Sequence, residues 1–240
     1  IRRQRQMCIR DRNKLASVFE AQLNRAEIGI IVLTHDESEE KEMNILNHIE
    51  DFGYFSGVVL APAIGRALGN FRTKNNNMRH LDLFQKRGIP VVLIDRLPPG
   101  WGDAMNFSYV GPDNRASADM AVSHLHEQGH RKIGGMFDVI RGASNYEERY
   151  NGFREAIEKC QCETKDGWIK FGREGMDVKV QDPMVRRIRR YSDGIDLFKQ
   201  ILDLEAHNQP TAMVCGNYRY AMCVYAAIEQ IHQNEDNPKI

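Results

Sequence analysis

The chain has 240 residues, and its 33 basic and 33 acidic side chains leave no net charge. That length can bury one large core or two smaller ones, and neutrality excludes a whole-chain electrostatic footprint for nucleic acid. No apolar run approaches the roughly 20 residues of a membrane-spanning helix. The five cysteines (Cys8, Cys160, Cys162, Cys215, Cys223) lack zinc-like spacing and read as free thiols of a reducing, cytoplasmic compartment.

Residues 1–12, IRRQRQMCIRDR, hold five arginines without helical or strand periodicity, and they read as a non-native or disordered arm. Residues 15–25 are expected to form a helix with Leu15, Val18, Phe19 and Leu23 on one face. IGIIVL at 28–33 is a continuous apolar run, as a strand covered on both faces requires. A polar turn follows, with Asp36 or Ser38 as N-cap, and then a helix carrying Met43, Ile45, Leu46 and Ile49. GVVLA at 57–61 is a second buried strand, 62–79 is mostly loop, 81–87 is a short helix stopped by Gly88, and PVVLI at 90–94 is a third strand. LPPGWGD at 97–103 is a tight turn in which Trp101 is a packing residue.

The stretch 109–137 is the best-formed unit. Tyr109 and Val110 run into the turn formers Gly111–Pro112–Asp113–Asn114. Ala118, Ala121, Val122 and Leu125 recur at helical spacing, Gly129 is a C-cap, and 133–137 restarts a strand. The alternation continues with a helix at 144–159 (Tyr150, Phe153, Ala156 and Ile157 inward), a strand at 168–171, a helix at 195–204, a strand at 211–215 and a helix at 220–231. Repeated βα units with Val/Ile-rich strands make an α/β fold of parallel sheets. Such sheets bind small ligands beyond the carboxyl ends of their strands, which is where Asp113 falls.

Four segments in order, PVVLIDR, YVGPDNRASADMAVSHLHEQGHRKIGGM, SNYEERYNGFREAI and TAMVCGNYRYAMCVYAAI, resemble the effector-binding part of LacI/GalR-type transcriptional regulators over about residues 13–233. The resemblance implies two Rossmann-like, doubly wound parallel-sheet subdomains of the periplasmic-binding-protein type, incomplete here at both ends. It places a near subdomain at 13–129, lacking its first strand, and a distal one at 130–240, with the chain crossing at Gly129–His130. It implies a homodimer, a small effector such as a sugar in the cleft, and operator DNA bound through a module outside these residues. A solute-binding receptor for sugar uptake shares the fold and is the alternative. Without the first strand the sheet keeps unpaired edges, so these residues alone are expected to fold poorly.

Three positions match the family's effector contacts: Asp113, Arg149 in ERYNGF and Asn217 in CGN. Asn145 matches a lesser one. A carboxylate, a guanidinium and an amide supply the acceptors and donors a polyol needs. Each also has a plainer reading: Asp113 as a helix cap, Arg149 as a surface charge beside Glu147 and Glu148, and Asn217 as a turn residue. The family's Asn-Asp pair is Asn217–Tyr218 here. His124, His126 and His130 lack metal-ligand spacing, Cys160 and Cys162 lack a redox context, and VRRIRRY at 185–191 reads as a solvated basic helix. No nucleophile elbow, phosphate loop or dinucleotide fingerprint is present, so neither catalysis nor a cofactor is expected.

Overall fold

The computed structural model describes residues 2–35, 38–52, 55–63, 78–97, 107–138, 144–172 and 183–236, with side chains left out at 2–13, 52, 78, 183–191 and 232–236. Most of the expected loop at 62–79, the turn around Trp101 and the side chains of 185–191 lie outside the described residues. Two compact units divide the chain, Ile1–Asp36 and Glu37–Ile240.

The first unit is a long helix, α1 (Arg2–Arg25), followed by a turn and a segment without regular secondary structure. Helix α1 takes in the residues set apart as an arm. IGIIVL at 28–33 does not form the expected strand. Ile31 is 67% exposed and Val32 57% exposed, and no described strand pairs with the segment. Apolar composition makes a strand only where a neighbouring ladder takes up its N–H and C=O groups.

The second unit holds two parallel three-stranded sheets. Sheet one is built from β1 (Val58–Leu60), β2 (Val91–Ile94) and β3 (Ser108–Val110), with β2 in the centre and Leu93 facing Leu60 and Tyr109 in register. Helices α2 (Glu39–Phe52) and α3 (Met78–Lys86) supply Leu46, Leu81 and Phe84 to a core with Val58, Val91 and Leu93. Ser38 starts α2 by accepting a hydrogen bond from the Lys41 N–H at its Oγ. Gly88 (φ 75°) follows α3 in the left-handed conformation that its missing Cβ permits.

Sheet two places β4 (Ile133–Asp138) between β5 (Ile169–Gly172) and β6 (Ala212–Cys215). Its period-two alternation sends Ile133 and Phe137 to one face and Met136 to the other. Helices α4 (Asn114–Glu127) and α5 (Ser144–Lys159) cover the first face through Ala118, Val122, Phe153, Ala156 and Ile157. Helices α6 (Pro183–Leu202) and α7 (Tyr218–Asp236) cover the second through Ile195, Phe198, Ile201, Tyr220, Cys223 and Ala227. This sheet is doubly wound, as expected.

Helix α4 shares its core with sheet two and not with sheet one, whose last strand it follows. Ala118 and Val122 of α4 thus share a core with Ile133 and Phe137 of sheet two, while residues before the Gly111–Pro112–Asp113 turn pack in the core of sheet one. Ala118 and Val122 are the buried stripe of the helix. Gly152 of α5 lies so close to Arg115 that a Cβ there would meet its backbone at 2.7 Å. That close approach fixes α4 against α5.

Candidate functional site

Polar residues stand at or just beyond the carboxyl ends of β2, β3, β4 and β6, and the first turns of α4 and α5 are tied to one another and to the end of β6. Asp113, exposed, is the N-cap of α4, with its Oδ1 accepting from the Ala116 N–H at 2.8 Å. The next residue, Asn114, is only 1% exposed. Its amide donates to Glu148 Oε2 (2.9 Å), and its Oδ1 accepts from Arg149 Nε (2.8 Å). Arg149 also donates from Nη1 to the Gly216 carbonyl at 3.1 Å, so one guanidinium ties the start of α4 to the end of β6.

Asn217 follows directly. Its Oδ1 accepts from the backbone N–H groups of Arg219 and Tyr220 and thereby caps α7. Its amide donates to Asp138 Oδ2 at 2.6 Å, while the Tyr220 hydroxyl donates to Asp138 Oδ1 at 2.8 Å. Asp138 is the last residue of β4, so both donors meet at the carboxyl edge of the central strand. Burial first, and then the Asp138 carboxylate, push the Tyr220 phenol far up, which keeps it a donor. Gly172 lies alongside, and a Cβ on it would overlap the Tyr220 hydroxyl.

Asn145, in the first turn of α5, is 4% exposed, and its Oδ1 is buried without a hydrogen-bond partner. Ser144 beside it accepts from the Leu97 N–H at 2.9 Å, a bond that links the end of sheet one to α5. Asp95 closes β2 in a left-handed conformation (φ 70°) uncommon for a residue with a side chain. Its carbonyl accepts from the Tyr109 hydroxyl at 3.1 Å. Burial, then Glu148, then Asp95 raise the pKa of that hydroxyl, which puts both carboxylates in its field.

Of the four residues expected from sequence, Arg149 and Asn217 are brought to one strip through Gly216, and Asn145 lies one turn before Arg149. Asp113 caps its helix and, among the described residues, makes no hydrogen bond to the other three. Asn114, Asp138, Glu148, Asp95 and Tyr220 were not anticipated. Position alone could have found Asp138 and Asp95, because each is an acid ending a Val/Ile-rich or glycine-rich strand. Among the described residues no group of three or more His, Cys, Asp and Glu could hold a metal ion, and no helix is long and apolar enough to cross a membrane.

Residues 122–232 match a known family, the periplasmic binding protein-like domain. The chain is 28% identical over 141 residues to the HTH-type transcriptional regulator IpsA of Corynebacterium glutamicum, covering 57% of this chain and 37% of the relative. It is 29% identical over 154 residues to the HTH-type transcriptional repressor PurR of Actinobacillus pleuropneumoniae serotype 5b, covering 62% of this chain and 38% of the relative. The chain thus spans less than two fifths of the length of either relative. A regulatory protein of the LacI family from Chloroflexus aggregans superposes with a TM-score of 0.59 at 22% identity, over 83% of this chain and 59% of the other.

Proposed function

We propose that this chain, which belongs with the LacI/GalR-type regulators, is the effector-sensing part of a cytoplasmic DNA-binding transcription regulator. The effector is a small hydroxyl-rich molecule, a sugar or related polyol. The observation that carries the reading is the strip of fixed donors and acceptors where the strands of both parallel sheets end, with Arg149 and Asn217 joined through Gly216. Such a strip offers a polyol acceptors at carboxylates and donors at a guanidinium and an amide, all held by bonds made before the ligand arrives.

The mechanism is a population shift. An effector that touches residues of both sheets binds one relative arrangement of them better than another, and it can bias that equilibrium only by the difference in affinity. A dimer turns this bias into a changed presentation of two DNA-reading modules outside these residues. The exposed stripe of Tyr218, Met222, Tyr225 and Ile228 on α7 supports a homodimer, since such a face is normally covered.

The test is calorimetry on the full-length protein with D-ribose, L-arabinose, D-glucose and myo-inositol, after a thermal-shift screen of the same four. Arg149→Ala should weaken the best binder by about 10- to 100-fold, the loss of one or two charged hydrogen bonds. Unchanged affinity would remove Arg149 from the site, and binding of none of the four would sink the polyol reading.

A further inference from the structure

The carboxylate of Asp138, one of the acceptors of that strip, is its most firmly held acid among the described residues. Tyr220 Oη and Asn217 Nδ2 each donate to one of its two oxygens. An ionised carboxylate offers about four lone-pair positions, so about two remain. Among the described residues no further donor reaches them. Asn217 already gives an amide N–H to Asp138 while its Oδ1 accepts from two backbone N–H groups, and Gly172 next door has no side chain. A second buried acceptor, Asn145 Oδ1, stands without a donor in the first turn of α5, the helix that follows β4. Leaving such an acceptor unmet is costly, and a donor from outside removes the cost. Arg149 uses Nε and Nη1 and keeps three of its five N–H groups, and Asn217 keeps one, yet none of them bonds Asn145 Oδ1.

We infer that Asp138 is a specificity-determining contact of the effector site, aligned by Tyr220 and Asn217 to accept from a ligand hydroxyl and to reject an anionic group at that position. This rests on the effector-site reading and adds a sign to it: the group that meets Asp138 is an uncharged hydroxyl, never a phosphate or carboxylate oxygen. Tyr220 is a positioning residue, since its hydroxyl reaches the ligand only through Asp138. Arg219 lies close enough to bear on Tyr220 electrostatically, but it does not supply a bond to Asp138 among the described residues.

The experiment compares D-ribose with D-ribose 5-phosphate and D-glucose with D-glucose 6-phosphate on the full-length protein and on three variants, Asp138→Asn, Tyr220→Phe and Asp119→Asn, each checked for native circular dichroism. Asp119 serves as control because its ion pair with Lys159 sits on the exposed α4–α5 surface. The neutral sugar that binds should lose tenfold or more in affinity in Asp138→Asn, lose less in Tyr220→Phe, and be unchanged in Asp119→Asn. The ratio of phosphorylated to neutral affinity should rise in Asp138→Asn, a change that a merely structural role would not produce. Equal sugar affinity in wild type and Asp138→Asn overturns the inference while leaving the effector site standing. So does tighter binding of a phosphorylated sugar than of its neutral parent by wild type. Absence of binding by every probe overturns the effector-site reading and the inference with it.

Discussion

Arg149→Ala tests the tie between α4 and β6 independently of any ligand. The guanidinium makes two bonds, to Asn114 Oδ1 at 2.8 Å and to the Gly216 carbonyl at 3.1 Å. Bonds from a charged donor contribute about 1.5–3 kcal/mol each, and leaving a buried acceptor unmet costs about 1–3 kcal/mol. Asn114 is 1% exposed, so water cannot replace the lost donor without rearrangement. Removing a half-buried charge returns part of its desolvation cost, and Asn114 keeps its bond to Glu148. The balance is a loss of about 2–3 kcal/mol. Urea unfolding followed by the fluorescence of buried Trp168, in a Trp101→Phe background, measures it. Pairing Arg149→Ala with Asn114→Ala in a double-mutant cycle isolates the shared bond, with an interaction energy of about 1–2 kcal/mol. A loss under about 0.5 kcal/mol, the level of an ordinary surface substitution, would refute the tie. So would full additivity of the two changes.

Gly129 (φ 91°) has nothing within 4 Å of an added Cβ, so Gly129→Ala should cost about 1 kcal/mol from backbone strain alone, read as a shift in urea midpoint with unchanged slope. Burial raises the thiol of Cys215 from 9.0 to about 12 and that of Cys223 to about 11. A group that holds its proton more tightly when folded gives stability that is intact below the unfolded value and lost as pH rises through the folded one. Stability should therefore fall from about pH 9 upward, and Cys215→Ala should flatten that fall in alkaline melts. Tyr225 on α7 is 70% exposed, and Tyr225→Asp should shift the sedimentation coefficient of the full-length protein from dimer to monomer without lowering its melting temperature.

Much of the fold was legible because its strands are short Val/Ile runs bounded by turn formers and its helices carry clear apolar stripes. Ser144–Lys159 is helical over the span expected, with Phe153, Ala156 and Ile157 buried as the spacing required. The run at 28–33 misled because composition reports suitability for a sheet and says nothing of whether a partner strand is beside it. For helix α4, periodicity gave its inward face, Ala118 and Val122, but not the sheet that the face meets. In the site, residue type located Arg149 and Asn217. Their partners were hidden, because Asn114 and Asp138 are 24 residues apart in sequence and meet the same strip only after sheet two has formed.

The order β5-β4-β6 also sets a timetable. The central strand leaves the ribosome first, yet it cannot complete its pairing until both neighbours exist. Gly135 waits for Ile169 on one side and for Val214 on the other. Closing the longer of these loops costs roughly 0.7 kcal/mol more in chain entropy than closing the shorter. Meanwhile α4 and α5 are near neighbours in sequence and can dock early around β4. A nascent chain thus holds a half-built sheet, covered on one face by α4 and α5, with the Met136 face open until α6 and α7 arrive. That interval is when the growing protein is most exposed to wrong partners, and its length is fixed by the rate of translation between β5 and β6.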